Sequence, residues 1–130
     1  MKNGFKLAAV IPTTPAEIYK AWLSTKGHTA MTGSPAKVDG KIGGKFTAWD
    51  GYIFGSTLAL EPDSQIVQAW RTSEFADADP DSLVELSLKA TKDGTKLTLT
   101  HTQIPTGQED SYRQGWEDFY FKPMKAYFEK

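Results

Sequence analysis

Two histidines and two arginines, set among many aromatic side chains, hold most of the chemistry this 130-residue chain could perform. His101 shares a strand face with Leu97 and Leu99, so its imidazole is expected to point toward a cavity or the core. There it could act as acid, base or ligand anchor near neutral pH, or be a hydrogen-bonded core histidine, which is the commoner fate. His28, in Lys26-Gly27-His28-Thr29 between two short helices, reads as a surface residue. No His-x-x-x-His spacing occurs, so no metal site is expected. Arg71 follows Trp70 at a strand end and faces oppositely, with Val67 and Ala69. It is either a cation inside a cavity, able to fork onto a ligand carboxylate, or a rim residue paired with an acid such as Glu74.

Other constellations fail on inspection. Asp77-Ala-Asp79-Pro-Asp81 looks like the start of a calcium loop, but the sixth position is Ser82 and the twelfth is Leu88. It reads as a solvated acidic loop. Asp39-Gly40-Lys41-Ile42-Gly43-Gly44-Lys45 looks like a phosphate loop, but Asp39 stands where the first Gly belongs and Phe46 replaces Ser/Thr. Glu117 and Asp118 are neighbours on a helix and diverge, which argues against paired-carboxylate chemistry. The absence of cysteine removes thiolate metal sites, disulfides and cysteine nucleophiles. No cofactor is expected.

Fifteen basic and sixteen acidic residues, interspersed, leave a net charge of -1 and no electrostatic footprint for nucleic acid or an anionic membrane. No run of apolar residues is long enough for a membrane span. Met1-Lys2-Asn3-Gly4-Phe5 leads only into a short apolar stretch that Pro12 interrupts, so no signal peptide is expected and the cytoplasm is the default location. The length predicts one domain, residues 1–130, able to bury a core without staples. Four Trp, five Tyr and seven Phe supply large rigid surfaces, suited to that core or to the walls of a pocket.

These residues must be held by elements that the punctuation makes readable. Phe5 to Ile11 is a first strand ending at Pro12. Thr13-Thr14-Pro15 then caps a short helix with Ile18, Tyr19, Trp22 and Leu23 on one stripe, followed after Gly27 by a second short turn ending before Gly33. Asp-Gly and Gly-Gly pairs at 39–40, 43–44, 50–51 and 93–94 bound strand-like runs Lys45–Trp49, Tyr52–Leu60, Gln65–Arg71, Leu83–Ala90 and Thr95–Gln103. Alternation is clearest where Val84, Leu86 and Leu88 face Glu85, Ser87 and Lys89, which predicts an antiparallel meander with one buried face.

From Gln108 the period becomes helical: Tyr112, Trp116, Phe119, Tyr120, Met124, Tyr127 and Phe128 form one stripe of a long amphipathic helix. Thr106 is the expected N-cap, Lys125 and Lys130 suit the C-terminal end, and Pro123 predicts a kink. An apolar sheet face and an apolar helix stripe must pack together. A curved sheet around the helix leaves a cavity wherever side chains do not meet. Its candidate walls are Trp22, Phe46, Phe54, Trp70, Trp116, Tyr120 and Met124, with Arg71 and His101 as polar anchors, although core packing is the commoner role of each aromatic.

Gly43-Gly44-Lys45-Phe46 with Asp50-Gly51, Gly55, Ile66 to Trp70-Arg71, Gly94 to Thr100, Ile104-Pro105 and Gly115-Trp116, taken in order, resemble the activators of the heat-shock-protein-90 ATPase. The resemblance is to that family's C-terminal domain, one of the helix-grip superfamily with START lipid-transfer domains and the birch pollen allergen, and covers nearly the whole chain. It implies an α+β fold, a curved antiparallel sheet of about six strands around a long C-terminal helix, with two short helices after the first strand. It further implies a deep cavity under that helix. Function follows less directly, because one scaffold serves many activities. The first expectation is a non-enzymatic domain enclosing a small hydrophobic molecule. A co-chaperone module that stimulates a chaperone ATPase in a stress response, and a cyclase- or hydrolase-like enzyme using His101, are the alternatives. The eukaryotic co-chaperone has a separate N-terminal domain with no counterpart expected here.

Overall fold

The alternating segments become one antiparallel sheet in a computed structural model that describes residues 3–129. The chain runs β1 (Phe5–Ile11), α1 (Pro15–Trp22), α2 (Thr25–Thr32), β2 (Lys37–Val38), β3 (Lys45–Ala48), β4 (Ile53–Glu61), β5 (Gln65–Thr72), β6 (Ser82–Thr91) and β7 (Gly94–Thr102). Helix α3 (Glu109–Trp116), a π-helical turn (Glu117–Phe121) and α4 (Lys122–Phe128) complete it. The seven strands lie in the order β1-β7-β6-β5-β4-β3-β2. The two-residue β2 is the strand that the sequence pattern does not reveal.

Thr14 caps α1 by accepting from the Glu17 N–H, with Pro15 at the first helical position, as the sequence predicts. Ser24 caps α2 through the Gly27 N–H, and Gly33 ends it in the left-handed conformation. The inner sheet face is apolar in long rows: Val84, Leu86 and Leu88 on β6 lie opposite His101, Leu99 and Leu97 on β7. All six are buried. A bulge in β4 between Thr57 and Ala59 interrupts the register there, and Leu58 is turned out to solvent. Gly55 sits between Phe46 of β3 and Trp70 of β5, leaving room on the inner face between two large rings.

The C-terminal helix departs from expectation at both marked positions. It starts at Glu109 with Gln108 in the cap position and no side-chain cap. Thr106 is not the N-cap, because Pro105 and Gly107, the latter at φ 92, turn the chain before the helix, and the Thr106 hydroxyl accepts instead from Asn3. Near Pro123 the single helix becomes α3, a π turn and α4. Pro123 has no N–H for the carbonyl four residues back, and the ladder adjusts by widening: the Lys122 N–H donates to the Glu117 carbonyl, five residues away. Pro123 then falls at the start of α4, where no N–H is needed. The position of Lys130 lies outside the described residues. Among the described residues no helix is long and apolar enough to cross a membrane.

Candidate functional site

The sheet and the C-terminal helix pack closely over most of their length, around Ile66, Leu86, Leu97, Leu99 and Met124. They separate at the end where β3 turns into β4. There a cleft of about 400 Å³ opens between the tips of β3, β4 and β5 and the face of α3 and the π turn. Its walls are Trp49, Tyr52, Ile53, Trp70, Ser111, Tyr112, Gly115, Trp116, Phe119 and Tyr120. Phe119, 55% exposed, and Tyr52, 37% exposed, mark its mouth.

The turn that carries Trp49 is unusual. Trp49, Asp50 and Gly51 have φ of 52, 56 and 87, three left-handed residues in succession. Glycine is at ease there, but an aromatic residue is held in strain of order 1–2 kcal/mol by what surrounds it. The strained backbone aims the indole inward, edge-on to Phe119 at 5.4 Å and to Tyr120 at 6.4 Å between ring centroids. Its Nε1 is buried and makes no hydrogen bond.

Beneath the cleft floor the polar atoms are closely paired. His28 Nδ1 lies 3.0 Å from the Trp22 carbonyl, which only accepts, so Nδ1 carries the proton and Nε2 accepts from the Tyr120 hydroxyl at 2.8 Å. The Trp22 indole N–H donates to Gln68, whose amide donates to Thr57. On the other side the Trp116 indole N–H donates to His101 Nδ1 at 3.1 Å. His101 Nε2 must then donate to Ser82 Oγ at 2.8 Å, and the Ser82 hydroxyl donates on to the Trp70 carbonyl. Burial drives the His101 pKa down to about 3, and burial likewise lowers that of His28 despite its bond to the Trp22 carbonyl. Both histidines are neutral braces for the aromatic floor.

At the rim the Tyr112 hydroxyl donates to Gln108 at 2.6 Å and lies 2.7 Å from Thr72 Oγ1. Tyr52 donates to the Glu74 carboxylate. Burial first, then that bond, raises the Tyr52 phenol above its ordinary pKa, so it stays neutral and donating.

Of the expected wall residues, Trp70, Trp116 and Tyr120 line the cleft. Trp22 is one layer deeper, stacked on Trp116 at 6.2 Å, and Met124 is buried in the closed part of the core, away from the cleft. Phe46 is in the core beside Gly55. Phe54 does not belong to this set: it stands on the outer sheet face, cross-strand from Thr47 and Arg71, because the inward residues of β4 are Ile53, Gly55 and Thr57. His101 is wholly buried behind Trp116 and reaches no cleft surface. His28 is not a surface residue, since α2 folds it back beneath the π turn onto Tyr120.

Arg71 is neither a cavity cation nor a partner of Glu74. On the outer face it donates to Asp81 Oδ1 at 2.8 Å and to the carbonyls of Asp79 and Ala76 at 3.0 Å, with its guanidinium over the Phe75 ring. The Asp79 carboxylate accepts from the Ala76 N–H. The acidic stretch is therefore a folded loop gathered on one cation. Arg71→Met is expected to destabilise the domain by about 1–2 kcal/mol, less than a buried pair because Asp81 is half exposed. Hydrogen exchange should quicken at 76–82 and nowhere else, and unchanged protection there would contradict this role.

The sequence signals for the missed walls were faint. Trp49 and Tyr52 flank an Asp-Gly turn whose handedness cannot be read from composition, and Gly115 looks like a helix imperfection. An added Cβ at Gly115 would meet only Phe119 Cδ2, at 3.8 Å, so packing does not demand the glycine. It leaves a helix position bare on the cleft wall, at about 1 kcal/mol relative to alanine.

Residues 12–129 match the model of the family described as Activator of Hsp90 ATPase homolog 1-like protein. The chain belongs to that family. The chain is 30% identical over 116 residues to the human Activator of 90 kDa heat shock protein ATPase homolog 1, matching 89% of this chain but 34% of the human protein. Against the Hsp90 co-chaperone of Saccharomyces cerevisiae the identity is 26% over 121 residues, again 34% of the relative. It thus spans about a third of the length of these curated relatives. The crystal structure of an HSP90 activator from Plasmodium falciparum superposes with a TM-score of 0.87 at 26% identity, covering 95% of this chain and 94% of that one. The fold expected from the resemblance, a helix-grip α+β architecture, is the one this chain adopts.

Proposed function

We propose that this Hsp90 activator homologue is a non-enzymatic binding domain that receives a small hydrophobic molecule in the aromatic cleft. The observation that carries the reading is the cleft's composition: seven aromatic side chains face a space of about 400 Å³ that none of them fills. That volume falls within the range of small-molecule sites, roughly 300–1,000 Å³. An enzyme built on His101 would need that imidazole to reach substrate, and its burial with both nitrogens engaged argues for a structural role.

Three of the four tryptophans line the cleft, so intrinsic fluorescence reports its occupation directly. Titration with the apolar probe fluorene is expected to quench tryptophan emission and give a one-to-one adduct in native mass spectrometry. Neither signal appearing would dispose of the reading. Gly115→Leu supplies the complementary result. It should keep or raise the melting temperature, because leucine is the better helix former, while filling the cleft and lowering probe affinity about tenfold or more. Undiminished binding by a folded Gly115→Leu protein would place the probe elsewhere.

The likeness to proteins named as Hsp90 activators favours a second reading, a co-chaperone module acting on a chaperone ATPase from the cytoplasm. Stimulated ATP turnover by the chaperone of the same cell supports it, and unchanged turnover at saturating protein rejects it.

A further inference from the structure

We propose that the cleft selects neutral, planar aromatic molecules that carry a hydrogen-bond acceptor, and that the Trp49 indole N–H is the group that reads the acceptor. The inference rests on the binding reading above and adds to it the chemistry of what is bound.

Four observations converge on it. The Trp49 N–H is a buried donor without an acceptor among the described residues, a state that costs about 1–3 kcal/mol until a partner arrives. The Tyr120 hydroxyl beside it is committed as donor to His28, and although its oxygen is close enough to interact with the indole, no contact of full hydrogen-bond geometry forms between them. Two of the other three indoles are satisfied within the fold, Trp22 by Gln68 and Trp116 by His101. Trp49 is also the one held at φ 52, so the turn maintains its inward aim against backbone strain.

The walls set the rest of the ligand's character. Their faces are rings, and ring faces stack best on planar partners. No lysine or arginine lines the cleft, and the charge bonded to a wall residue is the Glu74 carboxylate on Tyr52. A carboxylate ligand such as a fatty acid would meet no cation and one like charge. The bare Gly115 position widens the slot beside Trp116.

The test compares two molecules of one shape, fluorene and fluorenone, which differ by a carbonyl. Wild-type protein is expected to bind fluorenone about tenfold more tightly, with a shift of the Trp49 indole N–H resonance in nitrogen-15 spectra that fluorene does not cause. Fluorenecarboxylate should bind more weakly than either. In Trp49→Phe, which keeps an aromatic wall and removes the donor, the ratio of fluorenone to fluorene affinity should fall to about one, whatever the smaller ring does to the affinity of both. Equal wild-type affinities for fluorene and fluorenone would overturn this inference and leave the binding reading intact. A preference that survives in Trp49→Phe, or carboxylate binding as tight as fluorenone's, would overturn it as well. Binding of none of the three would remove the reading and the inference together.

Discussion

Gly55→Ala is expected to destabilise the domain by roughly 3 kcal/mol or more. A Cβ at this position would stand 1.9 Å from the Ala69 carbonyl oxygen and 3.0 Å from Phe46 Cζ. The first obstacle is backbone of the neighbouring strand, held by the β4–β5 ladder in which Gly55 faces Trp70. It cannot rotate away as a flexible side chain would, so β4 and β5 must part or the methyl must tilt toward the ring. Either movement displaces Trp70, a wall of the cleft and the carbonyl to which Ser82 donates. Urea unfolding should show the midpoint falling with little change in slope, accompanied by loss of fluorene binding. A variant within about 1 kcal/mol of wild type would mean that the sheet yields here more easily than its geometry indicates.

The second large effect is a loss of stability in mild acid. An unfolded histidine takes up a proton near pH 6.5, whereas folded His101 resists until about pH 3 and the folded-state value of His28 is lowered in the same direction. Between those limits the unfolded state binds more protons than the folded state, so stability rises with pH and levels off above about 6.5. Each histidine adds a slope of about 1.4 kcal/mol per pH unit within its own window. The range from about pH 5 to 6.5 largely isolates the effect, because ordinary carboxylates remain mostly ionised there. Unfolding free energies measured across that range should fall steadily with acidification and stay flat from about pH 7 to 8.5. His101→Gln should be weaker at neutral pH, since Trp116 and Ser82 lose their fixed partner, yet show a shallower acid slope. A wild-type stability independent of pH in this range would contradict the neutral, donor-and-acceptor assignment of both rings.

The architecture was largely legible because its signals are local. The alternation of β6 and β7, the Thr14-Pro15 cap and the apolar stripe of the final helix each depend on neighbours within a few residues. The cleft was less legible because its determinants are distant or ambiguous. In β4 both alternating sets contain apolar residues, and the larger ones, Phe54 and Leu58, turn outward while Gly55 turns in. Size therefore pointed to the wrong face. His28 reads as exposed beside Gly27, and it is buried by Tyr120, 92 positions away in sequence. Arg71 was correctly placed opposite Trp70, but its partner is set by how the loop after β5 folds back, which brings Asp81 rather than Glu74 to the guanidinium. Trp49 owes its aim to backbone sign, which side-chain pattern does not encode.

The π turn bears on helical phase. Tyr112, Trp116, Tyr120 and Met124 recur every fourth residue and all four are buried on one side. At about 100° per residue an uninterrupted α-helix would carry Met124 about 120° around the axis from Tyr112, and one end of the stripe would leave the sheet. The wider turn from Glu117 to Phe121 takes up an additional residue and slows that rotation midway along the stripe. One continuous helix surface can then present Tyr112 and Trp116 to an open cleft and Met124 to a closed core.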